Sequence, residues 1–400
     1  MRIIHFCMVA VFILLSGCSA QNELDELLIL SGIGIDEGED GRVKVILKAT
    51  NPQANTSGQE TGGSNQAPSY TFVGEGEDVI GAFSNVNELL GRKPFFAHIA
   101  ALVVGEEYAR NHGIKELIDY MERQYQIRDS YLLFISKGEK AENIMNLFTP
   151  IENSSVFTME QMVAIPEGAK GMKDGIKLED FIKWTYGDNR DPVALGVEKV
   201  DKEVQSTNAE ILNNIEGNKN AVRLTGLAAF QNNRLQDWLT PKDTLGYALI
   251  ASHSGKTLPY SISCNEGEGT IGFRLKEMKK DFKPKLEDGN LTYVINLKAQ
   301  VVLEGFTCPL KLSTNQGVEE LQQLVNNNLE KDLTSSLEKA QELQLDYFGI
   351  RNQLFRNETK QWEKVKNEWD ELYENMEIQA HVKTYLESPG ARVDNNEKTQ

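Results

Sequence analysis

Hydrophobic and polar positions alternate along this chain in two rhythms, one of period two and one near 3.6. "LLILSGIGID" from Leu27 reads as a buried strand, and "RVKVILKAT" from Arg42 as a second, with Val43, Val45 and Leu47 on one face. The turn between them, "DEGEDG", has hairpin-loop composition. The polar stretch from Asn51 to Ser69 has nothing to bury and reads as a loop. "YTFVGEG" predicts a third strand. The rhythm then changes: Val79, Phe83, Val86 and Leu90 share one helical face. "FFAHIAALVVG" predicts a buried strand, "GIKELIDYMERQYQI" an amphipathic helix and "YLLFISKG" another strand. Helical pieces around "NIMNLF" and "LEDFIKWTY" complete an α/β or α+β region ending near Asp191-Pro192.

A polar stretch follows and reads as a linker. Beyond it, two apolar segments flank Gln231-Asn232-Asn233-Arg234, a hairpin turn. From Tyr260 to Phe306 the chain alternates and turns at Asp288-Gly289-Asn290, as antiparallel sheet does. From Gly317 to about Tyr347, Leu321, Leu324, Val325, Leu329, Leu333, Leu337, Ala340 and Leu343 form one apolar stripe. The spacing predicts a long helix with Leu329 and Leu333 buried on the C-terminal sheet. "TKQWEKVKNEWDELYE" predicts a second helix, with Trp362, Val365 and Trp369 on one buried face, and "MEIQAHVKTYL" a final strand. The fold class is α+β and multidomain: a mixed N-terminal α/β region, then a C-terminal antiparallel sheet covered by a long helix.

The start of the chain changes the picture. The run from Ile3 to Leu15 is apolar apart from His5, follows Arg2, and is too short to span a bilayer, which takes ~20 apolar residues. It ends in Leu15-Ser16-Gly17-Cys18, which resembles a bacterial lipobox. That resemblance implies a signal peptide over 1–17, lipid attachment at Cys18, and a mature chain tethered outside the cytoplasm. Two acyl chains suffice for stable anchoring. With Cys7 in the signal and Cys18 lipidated, Cys264 and Cys308 remain, and an extracytoplasmic pair is a disulfide candidate. The formal net charge of -17 argues against nucleic acid and against a polybasic membrane patch.

Candidate chemistry adds little. Gly32, Gly34 and Gly38 have the wrong spacing for a dinucleotide fingerprint and read as hairpin glycines. "SGKT" from Ser254 lacks the upstream glycine of a phosphate loop. "DEGED" lacks the closing glutamate of a calcium loop, Leu47 standing in its place. The five histidines are scattered, with His98 read as a core residue. No catalytic, metal or cofactor site is expected.

Four blocks in order carry a family likeness: "ELLILSGIGID" after the lipobox, "LLGRKPFFAHIAALVVGEEYARNHGI", "LTGLAAFQNNRLQDWL", and "ELQLDYFGIRNQLFRNETKQWEKVKNEWDELYENMEIQAHV". Together they resemble the Ger(x)C lipoproteins, the C subunits of spore germinant receptors. The resemblance implies three α+β domains, a non-catalytic receptor subunit on the outer face of the spore inner membrane, and two integral membrane subunits as partners. Small-molecule nutrient binding by this subunit is not expected. The domain reading is 1–17 signal peptide, 18–192 N-terminal domain, 193–220 linker or intermediate segment, 221–390 C-terminal domain and 391–400 tail. The rival reading is an extracytoplasmic solute-binding lipoprotein that presents a nutrient to a membrane receptor or transporter. Against it, the element order lacks two regular βαβ lobes. Within the family blocks, Glu106-Glu107 should start a helix, where negative charge complements the dipole, and Gly349 should close the long helix.

Overall fold

The computed structural model describes residues 26–51, 67–124, 130–165, 172, 175–187, 190–201, 219–251, 258–264 and 269–388. The expected signal peptide, Cys18, most of the 51–69 loop, residues 202–218 of the expected linker and the tail lie outside them.

The N-terminal strands are β1 (Leu27–Glu37), β2 (Val43–Thr50), β3 (Ser69–Gly76), β4 (Lys93–Phe95), β5 (Ala101–Gly105), β6 (Leu132–Ser136) and β7 (Val193–Lys199). With β8 (Val222–Gln231) and β9 (Arg234–Trp238) they form one mixed sheet ordered β3-β2-β1-β5-β6-β7-β8-β9, β4 pairing with β1. The boundary expected at 192 therefore falls inside a sheet: β7 runs parallel to β6 and antiparallel to β8. Asp191-Pro192 is the entry to a strand. The segment "FFAHIAALVVG", expected as one strand, holds the last residue of β4, a loop and then β5.

Both sheet faces are covered. One carries the helix Val79–Glu88, capped by Asp78, whose carboxylate accepts from the Gly81 N–H at 2.7 Å. Phe83, Val86, Leu117 and Ile118 pack there against Ile33, Ile35, Leu102 and Val104, all fully buried. The opposite face carries the helices Ala141–Met145 and Ser155–Ala164. Gly32 and Gly34 lie within β1 on that face, not in the hairpin as their spacing suggested. A Cβ at Gly32 would meet Val156 at 2.9 Å, and one at Gly34 would run into Met145. Their role is to admit the helices to the sheet.

The second core cluster starts on this same face and continues without a break into the C-terminal sheet. That sheet is ordered β10 (Leu258–Ser263), β11 (Thr270–Glu287), β12 (Asn290–Phe306), β13 (Glu377–Ser388). The first three strands are antiparallel, as alternation predicts, but β13 runs parallel to β12. The connection between β12 and β13 holds the long helix, Asn315–Glu342, here α8 in chain order, and the crossover it makes permits a parallel return.

Thr314 caps α8, its hydroxyl accepting from the Gly317 N–H at 3.1 Å. Leu321, Val325, Leu329, Leu333, Leu337 and Ala340 are fully buried. Gln344, at φ 54, ends the helix, with Gln344 N–H to Gln341 O and Leu345 N–H to Ala340 O both at 2.9 Å. Gly349 does not close it. At φ 73 it opens the next helix, Ile350–Asn357.

α8 also meets the outer edge of β13. Val382 N–H donates to Glu330 at 2.8 Å, Thr384 N–H to Asn326 at 2.9 Å, and Gln322 donates to Thr384 O at 2.8 Å.

Candidate functional site

Arg190, Asp191 and Pro192 lead into β7. Pro192 O accepts from Phe230 N–H at 2.9 Å, which fixes this entry beside the β8–β9 hairpin. The hairpin turns on Asn232 and Asn233, at φ 49 and 67, as read from the sequence. Asp191 reaches across to the C-terminal region. Its N–H donates to Asp346 O at 3.1 Å, and its carboxylate accepts from Asp346 N–H at 2.7 Å.

The Asp346 carboxylate in turn accepts from the N–H groups of Ile350 and Arg351, both at 2.8 Å, capping the helix that Gly349 opens. Asp346 is almost wholly buried. Desolvation pushes its carboxyl up to about 7, against the pull of those two N–H groups and the Arg351 charge.

Around this clamp, the Arg190 guanidinium lies 3.7 Å from the Trp184 ring centroid and donates to Tyr247 Oη at 3.0 Å. Tyr247 contacts the rings of Tyr347 and Phe348. Tyr347 donates to Ser336 O at 3.2 Å, and Tyr373 to Leu345 O at 2.9 Å. The run Asp346-Tyr347-Phe348-Gly349 is thus the joint at which the two sheets are held. A cleft lined by Trp184, Arg190, Gln231, Asn233, Arg351 and Asp370 opens there.

A second cluster centres on Glu106, which starts the helix Glu106–Asn111 as expected. Sequence reading gave it only a dipole role. Its carboxylate accepts from Trp238 Nε1 and Gly138 N–H, both at 2.8 Å, and from Arg110 at 3.0 Å. Burial raises its pKa, but these donors outweigh burial and hold it below the ordinary range. Arg110 also donates to Gln236 O at 2.8 Å, and Lys137 lies 4.9 Å from the Trp238 ring centroid. Asp237, next to Trp238, pairs with Lys339 of α8 at 3.2 Å. The only signal for this hub was the Gly-Glu-Glu block and a distant tryptophan, and nothing in spacing links residues so far apart.

Of the residues read from sequence as sites, Cys18 is outside the described residues. Cys264 and Cys308 are both buried, with Cα atoms 6.0 Å apart, within the span of a disulfide. His98 is exposed rather than in the core, its ring 5.6 Å from Phe95. The loop between β4 and β5 carries it outward. Among the described residues, no three His, Cys, Asp or Glu side chains gather as a metal site. No described helix is long and apolar enough to cross a membrane.

Two family descriptions match this architecture. Residues 20–199 match the spore germination protein N-terminal domain, and residues 225–390 match the spore germination B3/GerAC-like C-terminal domain. The chain belongs to the Ger(x)C family of spore germination proteins. Spore germination protein KC of Bacillus subtilis (strain 168) is 25% identical over 396 residues, 96% of each chain. Spore germination protein B3 of the same strain is 21% identical over 375 residues, 92% of each. The crystal structure of the GerBC protein superposes with a TM-score of 0.55 at 16% identity, covering 89% of this chain and 97% of that one, so the fold is shared. In this Ger(x)C chain the Glu106 hub lies in the first matched region and Asp346 in the second. The Asp191–Asp346 clamp binds one to the other.

Proposed function

We propose that this chain is a lipid-anchored, non-catalytic subunit of a spore germinant receptor, needed for the response of the dormant spore to nutrients. The observation that carries the reading is the pair of family matches, 20–199 and 225–390, which together take in almost the whole chain after Cys18. Leu15-Ser16-Gly17-Cys18 after an apolar run supports the anchor. The clusters at Asp346 and Glu106 support a scaffold: their polar groups are engaged with one another across elements. The partners are two integral membrane subunits of the same receptor, and the site of action is the outer face of the spore inner membrane.

Cys18→Ala tests the anchor. The variant is expected to accumulate as an uncleaved or mislocalised precursor, and its spores to respond weakly to nutrient. Normal processing and normal membrane retention of that variant would defeat the anchored reading. Co-purification of two membrane subunits with the wild-type chain from spore membranes tests the partnership. Against the solute-binding alternative, nutrients added to the purified chain should leave its melting temperature unmoved. A rise of several degrees would favour that alternative.

A further inference from the structure

The outward face of the C-terminal sheet, opposite α8, carries three lysines in a line. Lys279 of β11 stands opposite Lys298 of β12, and Lys298 opposite Lys383 of β13. All three are exposed. Neighbouring strands are ~4.8 Å apart, so three like charges stand side by side, an arrangement that costs stability. Three other cations on this sheet have partners: Lys276 pairs with Glu387, Lys283 with Asp281 and Arg274 with Glu304. Among the described residues, no carboxylate lies within ion-pairing distance of the row. The Tyr385 ring centroid lies 5.4 Å from the Lys383 ammonium.

Two structural explanations fall short. A lysine on an edge strand discourages pairing with other chains, which accounts for Lys383. It does not account for Lys298, which has strands on both sides. Between Lys276 and Lys279 the register slips by one residue, with Glu277 at φ 46. Without that bulge Met278 would face Lys298, and Lys279 would point to the core. The bulge also keeps Phe282 and Leu286 on the core side, but burying them does not require lysine at 279, 298 or 383.

We infer that this lysine row is a docking face for an anionic phospholipid surface. The inference rests on the proposed anchor at Cys18. A chain tethered to a membrane presents its surface to that membrane at high effective concentration, so a weak contact is enough to orient it. In a chain of net charge -17, the row marks the face that such a surface would not repel. Lys285 extends the same face along β11.

The test uses residues 19–400, which keep every described residue and carry no lipid. Its outcome is therefore independent of whether Cys18 is modified. Flotation with vesicles of phosphatidylcholine containing 30% phosphatidylglycerol is compared with pure phosphatidylcholine, at low and high salt. Binding is expected to the anionic vesicles alone and to vanish at high salt. The triple variant K279Q/K298Q/K383Q should bind them about a hundredfold more weakly, on the order of fivefold per lysine. Relief of like-charge repulsion should leave its melting temperature equal or higher, which separates lost binding from lost fold. Equal binding to both vesicle types, or undiminished binding by the triple variant, would overturn the inference. So would the triple variant's binding the vesicles normally while failing to retain a receptor subunit, which would make the row a protein contact.

Discussion

A carboxyl group at position 346 is costly in both of its charge states. Ionised, it caps the helix after Gly349 with two N–H groups but sits in a buried site. Protonated, it escapes the desolvation cost and weakens the cap. Burial prevails and lifts it from its ordinary 3.8 to about 7. Between roughly pH 4 and 7 the folded chain therefore holds a proton that the unfolded chain has released, and stability falls as pH rises through that window. The full contribution is present below the lower value and is on the order of 4 kcal/mol. Asp346→Asn removes this group, so its urea midpoint should decline less between pH 5 and 7.5 than that of the wild type. The same decline in both proteins would rule out the buried carboxyl as its source. Asp36, pushed up to about 6 by burial, keeps a smaller decline in the variant. None of this was legible in "LDYFGIR": the sequence offered a turn, whereas the titration depends on Asp191 and the helix start, and burial supplies the rest.

At the scale of elements, the apolar stripe of α8 was legible because one face is buried along the helix, on β13 and on the helix Pro241–Ala251. Leu329 has no exposed surface, so Leu329→Ala should cost roughly 2 to 5 kcal/mol. Chemical denaturation of the whole chain reads this out, and an unchanged midpoint would mean that the stripe is not core. The segment after it was only half legible. Trp362, Val365 and Trp369 do pack inward, and the two indole rings meet at 5.5 Å. Yet the expected single helix breaks into Thr359–Val365, a 3-10 turn at Lys366–Glu368 and Trp369–Glu374. Helical periodicity cannot register a break that preserves the same face. Cys264 and Cys308 span 44 residues, and a bond between them would stabilise by about 4 kcal/mol on chain-entropy grounds. Reductant should therefore lower the melting temperature of the wild type and leave Cys264→Ser/Cys308→Ser unaffected. Equal response of the two proteins would show the thiols unpaired.

For the whole molecule, local pattern misplaced a boundary that long-range pairing decides. Asp191-Pro192 has the composition of a domain end, and only the partners of β7 reveal that the sheet runs on. The two sheets share one continuous core cluster, and the Asp191–Asp346 clamp crosses between them. They should consequently unfold together. Trp184 and Trp238 belong to the N-terminal side, Trp362 and Trp369 to the C-terminal side. Variants keeping one pair or the other should lose fluorescence at the same denaturant concentration after correction for the substitutions. Separate midpoints would divide the molecule into two cooperative units. The α8 side chains on β13 carry a different consequence. An exposed strand edge is a template on which further copies can pair and zip into fibrils. Gln322, Asn326 and Glu330 occupy the hydrogen-bonding positions of Val382 and Thr384, in the middle of the β13 edge. Over this stretch the helix acts as a surrogate last strand that cannot itself be extended, and an incoming strand is blocked at the middle of the edge.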